Sequence, residues 1–170
     1  MGLSNETAWG LAKFLELSKL KSLPKMMSVQ NPYNLLNRTY EVGLAEISVR
    51  EKSGLLAYSP LARGLLTGKY IGNKIPKGSR LSRDDKIRKI VNENSDLAVS
   101  AYSRLAQKYN IDPIHMSLAF CNERPFMGSV IFGATNILQL KKILVGINLK
   151  LNSEINSEIQ ALYKKFPLTF

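Results

Sequence analysis

The residues best suited to hold a ligand lie between Gly54 and Tyr70: Tyr58-Ser59-Pro60-Leu61, followed by Arg63, Gly64, Gly68 and Lys69. The apolar run Leu55 to Tyr58, set between Gly54 and Pro60, predicts a short buried strand that opens abruptly into a loop. Such a strand end brings an aromatic ring, a hydroxyl, free backbone N–H groups and a cation to one point. A flat-ringed anion, such as a nucleotide cofactor, is the ligand that needs all four. The plainer alternative stays open at this stage, because a tyrosine at a strand end is as often a core or rim aromatic, and Gln30-Asn31-Pro32 alone reads as an ordinary strand-ending turn.

Other chemistries find little support in the sequence. No Ser/His/Asp, Cys/His or paired-carboxylate arrangement stands out, and no metal-ligand spacing is visible. His115 is the sole histidine, and one imidazole without a partner makes neither a dyad nor a metal site, so a surface or packing role is expected for it. Cys121, the sole cysteine, is expected to be a buried structural thiol in a reducing compartment.

At 170 residues and 45% hydrophobic content, the chain suits one globular domain with a sizeable core. It lacks an apolar run long enough to span a bilayer and a basic-then-apolar N-terminus, so a cytoplasmic location is the default expectation. The net charge of +11 raises the question of nucleic acid. The Lys and Arg residues are spread along the chain rather than gathered in one stripe, which favours a generally basic surface, part of it available to a phosphorylated ligand.

The elements that position these residues alternate. A helix is expected from about Glu6 to Lys19, capped by Ser4 or Asn5, with Ala8, Leu11, Ala12 and Leu15 at helical spacing. A strand follows from Met26 to Val29, ended by Gln30-Asn31-Pro32. Arg38 to Glu51 reads as a helix with Val42, Ala45 and Val49 on one face. After the strand that ends at Tyr58 and the loop beyond it, Gly72 to Asp85 reads as a long basic surface loop of the kind that serves as a lid or a mere connection. Helices then run through Leu97 to Asn110 and, with Asp112 as cap and Pro113 at the first position, to about Asn122. Met127 to Phe132 is a strand, Asn136 to Val145 a helix with Ile137, Leu140 and Leu144 inward, and a last helix starts near Asn152 or Ser153 with Ile155, Ile159 and Leu162 on one stripe. Strands and helices alternating with short connections predict a parallel sheet.

Four stretches, in order, carry a family resemblance. Gly2-Leu3-Ser4-Asn5, Val29-Gln30-Asn31-Pro32-Tyr33-Asn34, Tyr58-Ser59-Pro60-Leu61 with Gly64, Gly68 and Lys69, and Gly133-Ala134-Thr135 resemble the ends of the fifth to eighth strands of the aldo/keto reductases, a family that includes potassium-channel beta subunits. The resemblance implies the C-terminal part of a (β/α)8 barrel, with about three parallel strands, a few residues of a fourth, and surrounding helices. It also implies an NADP(H) site. Tyr58 would stack on the nicotinamide while Ser4, Asn5 and Gln30 orient the carboxamide. Ser59, Pro60, Leu61 and Arg63 would line the pyrophosphate with charge from Lys69 and Arg80, and Gly133, Thr135 and Gln139 would serve the adenosine end.

Two departures accompany the resemblance. The family commonly shows Glu and Asn at the positions of Lys142 and Ile143, where they contact adenine and ribose. The family's catalytic Asp, Tyr, Lys and His belong to earlier strands, so the chain is expected to hold the cofactor and to contain no catalytic residue of its own. By itself it is expected to be inactive. A partial barrel should also expose open edges, which predicts self-association, pairing with a separately encoded N-terminal half, or poor solubility. The alternatives are a regulatory NADP(H)-binding module and, last, a nucleic-acid-associated protein.

Overall fold

A computed structural model describes residues 1–83, 92–167 and 169. Four parallel strands form one sheet in the order β1 (Gly2–Ser4), β2 (Ser28–Pro32), β3 (Gly54–Tyr58) and β4 (Met127–Ile131). The few residues expected from a fourth strand thus pair fully, with Gly2 opposite Ser28 and Ser4 opposite Gln30. Gln30, Asn31 and Pro32 lie within β2 rather than ending it, in register with Leu56, Ala57 and Tyr58. Pro32 is tolerated because it is the last residue of its strand.

The described α-helices are α1 (Ala8–Leu20), α2 (Leu44–Glu51), α3 (Arg80–Arg83), α4 (Glu93–Lys108), α5 (Pro113–Asn122), α6 (Ile137–Val145) and α7 (Ser153–Lys165), with 3₁₀ segments over Thr39–Glu41 and Ala62–Thr67. Leu11 and Leu15 of α1, Val29, Leu55 and Ala57 of the sheet, and Met116, Phe120 and Cys121 of α5 are all buried in one core. Around Tyr33 the core is aromatic: its ring stacks on Phe120 and meets Phe126 edge-on at centroid distances of 5.8 and 5.4 Å. Arg38, only 5% exposed, is paired with Glu41 at 2.7 Å and lies 4.2 Å from the Tyr163 ring centroid, tying the β2–α2 connection to α7.

Several local expectations change. The cap of α1 is Thr7, whose hydroxyl accepts from Gly10 N–H at 3.0 Å, whereas Asn5 occupies a left-handed turn at φ 54°. Arg38 to Glu51 is not one helix. A 3₁₀ turn over Thr39–Glu41 gives way at Gly43, φ 92°, to α2, so the axis is reset and Leu44 and Ser48 point inward while Val42 and Val49 face solvent. On α6 the inward residue is Ile143, and Ile137, Leu140 and Leu144 are exposed, because only one side of this helix meets the rest of the fold. On α1 and α4, Ala12 and Leu97 are likewise outward. Gly72 to Ser79 is turn and loop as expected, but Arg80–Arg83 is helical, and Asp85 lies outside the described residues.

Candidate functional site

The C-terminal ends of the four strands converge on one side of the sheet. Parallel register carries Ser4, Gln30 and Tyr58 to neighbouring strand ends, and a hydrogen-bonded group forms there. Tyr58 Oη donates to Asn5 Oδ1 at 2.8 Å, Asn5 Nδ2 donates to Ser4 Oγ at 3.2 Å, and Ser4 Oγ donates to Gln30 Oε1 at 3.4 Å. The Asn5 backbone N–H is fixed on Gln30 O at 2.8 Å. Four side chains from three strands therefore present an aromatic face beside amide and hydroxyl groups.

Beside this group lies a cleft of about 670 Å³. Ser59, Pro60, Leu61, Arg63 and Lys69 line it from the loop after β3, and Arg80 and Arg83 from α3. Gly133, Thr135 and Gln139 line it from the start of α6, so nine of the thirteen residues expected to bind border this cleft and the other four form the hydrogen-bonded group. Arg83, Ser79, Ile114, Lys142 and Ile143 also border it and were absent from the expected set. A basic residue one helical turn from Arg80 was the available signal for Arg83.

The loop after β3 is conformationally unusual. Ser59, Ala62 and Arg63 have φ of 54°, 46° and 56°, and Gly64 has 100°. Successive left-handed residues cost of order 1–3 kcal/mol each outside glycine and persist only where surroundings hold them. One such restraint is Asn34, fully buried, which donates from Nδ2 to Ser59 O at 3.0 Å and accepts through Oδ1 from Leu36 and Asn37 N–H. Another is Thr67, whose hydroxyl donates to Gly64 O at 2.7 Å. The turn also closes on itself, since Ala62 N–H donates to Ser59 O and Gly64 N–H to Leu61 O, each at 2.8 Å.

At the opposite wall, Thr135 N–H and Oγ1–H both donate to Gln139 Oε1 at 3.0 Å, and Asn136 caps α6 by accepting from Gln139 N–H. A Cβ added to Gly133 would meet nothing within 4 Å, so the backbone there borders open space. Lys142 Nζ pairs with Asp112 Oδ2 at 2.9 Å. Burial alone would raise the Asp112 carboxyl, but Lys142 and the Ile114 N–H outweigh it and hold it below its ordinary 3.8. His115 packs α5 against α6: its Nε2 meets Lys142 O at 2.6 Å, and a Cβ on Gly146 would strike its ring at 2.1 Å. Cys121 is fully buried, and burial pushes its thiol up to about 12. No described group of His, Cys, Asp and Glu is placed to hold a metal ion, and no described helix is long and apolar enough to cross a membrane.

The donor set fits a phosphorylated dinucleotide. Arg63, Lys69, Arg80, Arg83 and Lys142 border the cleft, the Ser79 hydroxyl is enclosed with no partner among the described residues, and Tyr58 directly precedes the lining residue Ser59.

The sequence model of the Aldo/keto reductase family matches residues 1–164. Among curated proteins, the chain is 41% identical over 166 residues to Protein tas of Escherichia coli K12, covering 98% of this chain and 48% of that one. It is 31% identical over 154 residues to the L-glyceraldehyde 3-phosphate reductase of the same organism, covering 87% and 44%. A probable voltage-gated potassium channel subunit beta of Arabidopsis thaliana is 29% identical over 146 residues, covering 83% and 42%. The chain thus spans about half the length of these relatives. With its parallel α/β architecture and this match over nearly its whole length, the chain belongs to the aldo/keto reductase family.

Proposed function

We propose that the strand-end group and the adjoining cleft bind a nicotinamide dinucleotide, NADP(H) in preference to NAD(H), and that the chain supplies the cofactor cradle of an aldo/keto reductase acting on aldehydes or ketones. The observation that carries this reading is the hydrogen-bonded group of Tyr58, Asn5, Ser4 and Gln30, adjoining through Ser59 a cleft that Arg63, Lys69, Arg80, Arg83 and Lys142 border among the described residues. Tyr58 would face the nicotinamide ring, with Ser4, Asn5 and Gln30 turned to its carboxamide. The Ser59–Arg63 loop, Lys69 and Arg80 would hold the pyrophosphate, and Gly133, Thr135 and Gln139 the adenosine portion. When bound, the cofactor would supply the hydride.

The basic lining from Arg63, Lys69, Arg80 and Arg83 supports the NADP(H) preference, whereas Lys142, which stands where the family commonly has a carboxylate, is already paired with Asp112. The carbonyl's proton donor would come from protein outside these residues, so the 170-residue chain alone would bind without turnover. The similarity to a channel subunit favours a second reading, a regulatory module that binds NADP(H) and does not reduce a carbonyl.

Fluorescence titration of the purified chain with NADPH and NADH, followed by addition of an aldehyde, tests all of this. Saturable NADPH binding, weaker for NADH, is expected, with no carbonyl-dependent oxidation. Absence of saturable binding overturns the cradle. Robust oxidation abolished by changing Tyr58 or Gln30 overturns the division of labour.

A further inference from the structure

Asn34 is not among the residues that border the cleft, yet it is fully buried and its side chain ties the chain leaving β2 to the chain leaving β3. Just past the strand ends, Tyr33 N–H donates to Tyr58 O at 3.3 Å. At the next position the backbone cannot repeat this, because Asn34 N–H is taken by Asn37 O at 3.0 Å. The Asn34 side chain stands in for it, and Nδ2 donates to Ser59 O at 3.0 Å. Oδ1 meanwhile accepts from Leu36 and Asn37 N–H, each at 2.9 Å, so one amide serves two segments through two different atoms.

The oxygen that Nδ2 holds is where the loop begins its unusual course. Ser59 is the first of the left-handed residues there, with φ 54°, and Ser59 O also accepts from Ala62 N–H at 2.8 Å, closing the turn that leads to Arg63 and Gly64. A left-handed serine persists only where its surroundings hold it. The holder is itself anchored in the core, since Leu35 and Leu36 beside it are buried and the Tyr33 ring stacks on Phe120. The turn from Asn34 to Asn37 uses Oδ1 and the backbone alone, so the Nδ2 contact acts on the loop.

We propose that Asn34 is a positioning residue for the cleft: its Nδ2–H fixes Ser59 and, through it, the lining from Ser59 to Gly64 before any ligand arrives. Affinity for a diphosphate-bearing ligand then depends on a side chain that never touches it. The inference rests on the dinucleotide reading for the identity of that ligand. Its physical basis is preorganisation, because a loop already held in its binding conformation loses less freedom on binding. Without the donor, Ser59 O would keep only the local bond from Ala62 N–H, and the chain between Tyr58 and Gly64 would sample other courses.

Asn34→Asp keeps Oδ1 for Leu36 and Asn37 and places an oxygen where Nδ2 stood, so it removes the hold on Ser59 and spares the turn. At pH 8, with its circular dichroism unchanged, this variant should bind NADPH about tenfold more weakly than the parent, or worse. Binding of adenosine 2′-phosphate, which lacks the diphosphate, should change less than about twofold, whereas general loss of structure would weaken both ligands alike. Equal NADPH affinity in variant and parent, or parallel losses for the two ligands, overturns the proposal. A parent that binds no NADPH overturns the dinucleotide reading instead. In that case, or if the variant does not fold, amide hydrogen exchange of the ligand-free parent decides whether Asn34 holds the loop. Ala62 N–H, outside the sheet, should exchange as slowly as Leu36 and Asn37 N–H, all three opening as one unit with the Asn34 side chain. A fast-exchanging Ala62 beside protected Leu36 and Asn37 overturns the proposal.

Discussion

Tyr58 and Asn5, 53 residues apart, meet at 2.8 Å across the end of β2, and this contact joins β3 to β1 without passing through the strand between them. The bond orients the phenol, while the ring supplies the flat surface. Separating the two contributions is the first prediction. Tyr58→Phe keeps the ring and should weaken NADPH binding less than about threefold. Tyr58→Ala removes the stacking surface and should weaken it about tenfold or more, since an aromatic contact of this type contributes about 0.5–1.5 kcal/mol beyond the area it covers. Fluorescence titration of both variants measures the difference.

Gly64 and Gly133 should separate folding from binding. Gly64 has φ 100°, and an added Cβ would find ordinary contacts near 3.5 Å, so the cost of Gly64→Ala is backbone strain of about 1–3 kcal/mol. Gly133 has open space around it. Gly133→Ala should leave thermal stability within about 0.5 kcal/mol of the parent. It should nonetheless reduce NADPH affinity severalfold, because the methyl occupies the space beside the backbone. Calorimetry and titration on the same two proteins read out both effects.

The end of β3 is legible in Tyr58-Ser59-Pro60, and parallel register then brings Tyr58 near Gln30 and Ser4, whereas Gln30-Asn31-Pro32, which reads as a strand-ending turn, belongs to β2 itself. Helix faces were less legible. Val42, Ala45 and Val49 have correct spacing for an inward stripe, yet only Ala45 packs partly against the core, because the reset at Gly43 turns Leu44 and Ser48 inward and leaves Val42 and Val49 exposed. Ile137 and Leu144 read as core on periodicity alone, although the helix they sit on meets the fold through Ile143. Periodicity identifies an apolar face, but it does not say whether this chain or another molecule covers it. The Lys142–Asp112 pair was beyond reach for a different reason, since thirty residues separate two exposed-type side chains that only the packing of α5 against α6 brings together.

Asp112 has two roles, capping α5 through Ile114 N–H at 2.8 Å and pairing with Lys142. Its folded-state carboxyl lies below 3.8, so its contribution to stability is present above that value and is lost as pH falls through the lower folded value. Asp112→Asn keeps a capping acceptor and removes the charge. It should cost no more than about 0.5 kcal/mol at neutral pH, because the pair is substantially exposed, and the parent's excess loss of stability below pH 3.8 should shrink. Asp112→Ala should cost about 1 kcal/mol more through loss of the cap. Urea midpoints from pH 2 to 7 check both.

Arg38 is held by Glu41 at 2.7 Å, donates to Gln160 at 2.9 Å, and packs between the rings of Phe120 and Tyr163. Arg38→Ala removes both the charge and the stem that fills this space. A loss of about 3 kcal/mol is expected from breaking a largely buried pair. Arg38→Met keeps much of the packing volume, and the Glu41 carboxylate it leaves behind is partly solvated. It should therefore recover at least half of that loss. If the two variants are equally destabilised by urea titration, the guanidinium's hydrogen bonds hold α7 in place and ring packing contributes little.

Cys121 gives a direct measure of how the core opens. The thiol is fully buried, its Sγ–H donates to Tyr33 O at 3.7 Å, and burial pushes its ionisation up to about 12. Thiolate is the reactive form, so at pH 8 the folded protein should present almost none. Modification by a disulfide reagent should be slow and should accelerate across the urea transition with the same midpoint as circular dichroism. Labelling that precedes that transition would mean α5 separates from the sheet before the rest of the core unfolds. Saturating NADPH should then slow labelling only if cofactor binding also steadies α5, whose Ile114 borders the cleft three helical residues from Ser117 and seven from Cys121.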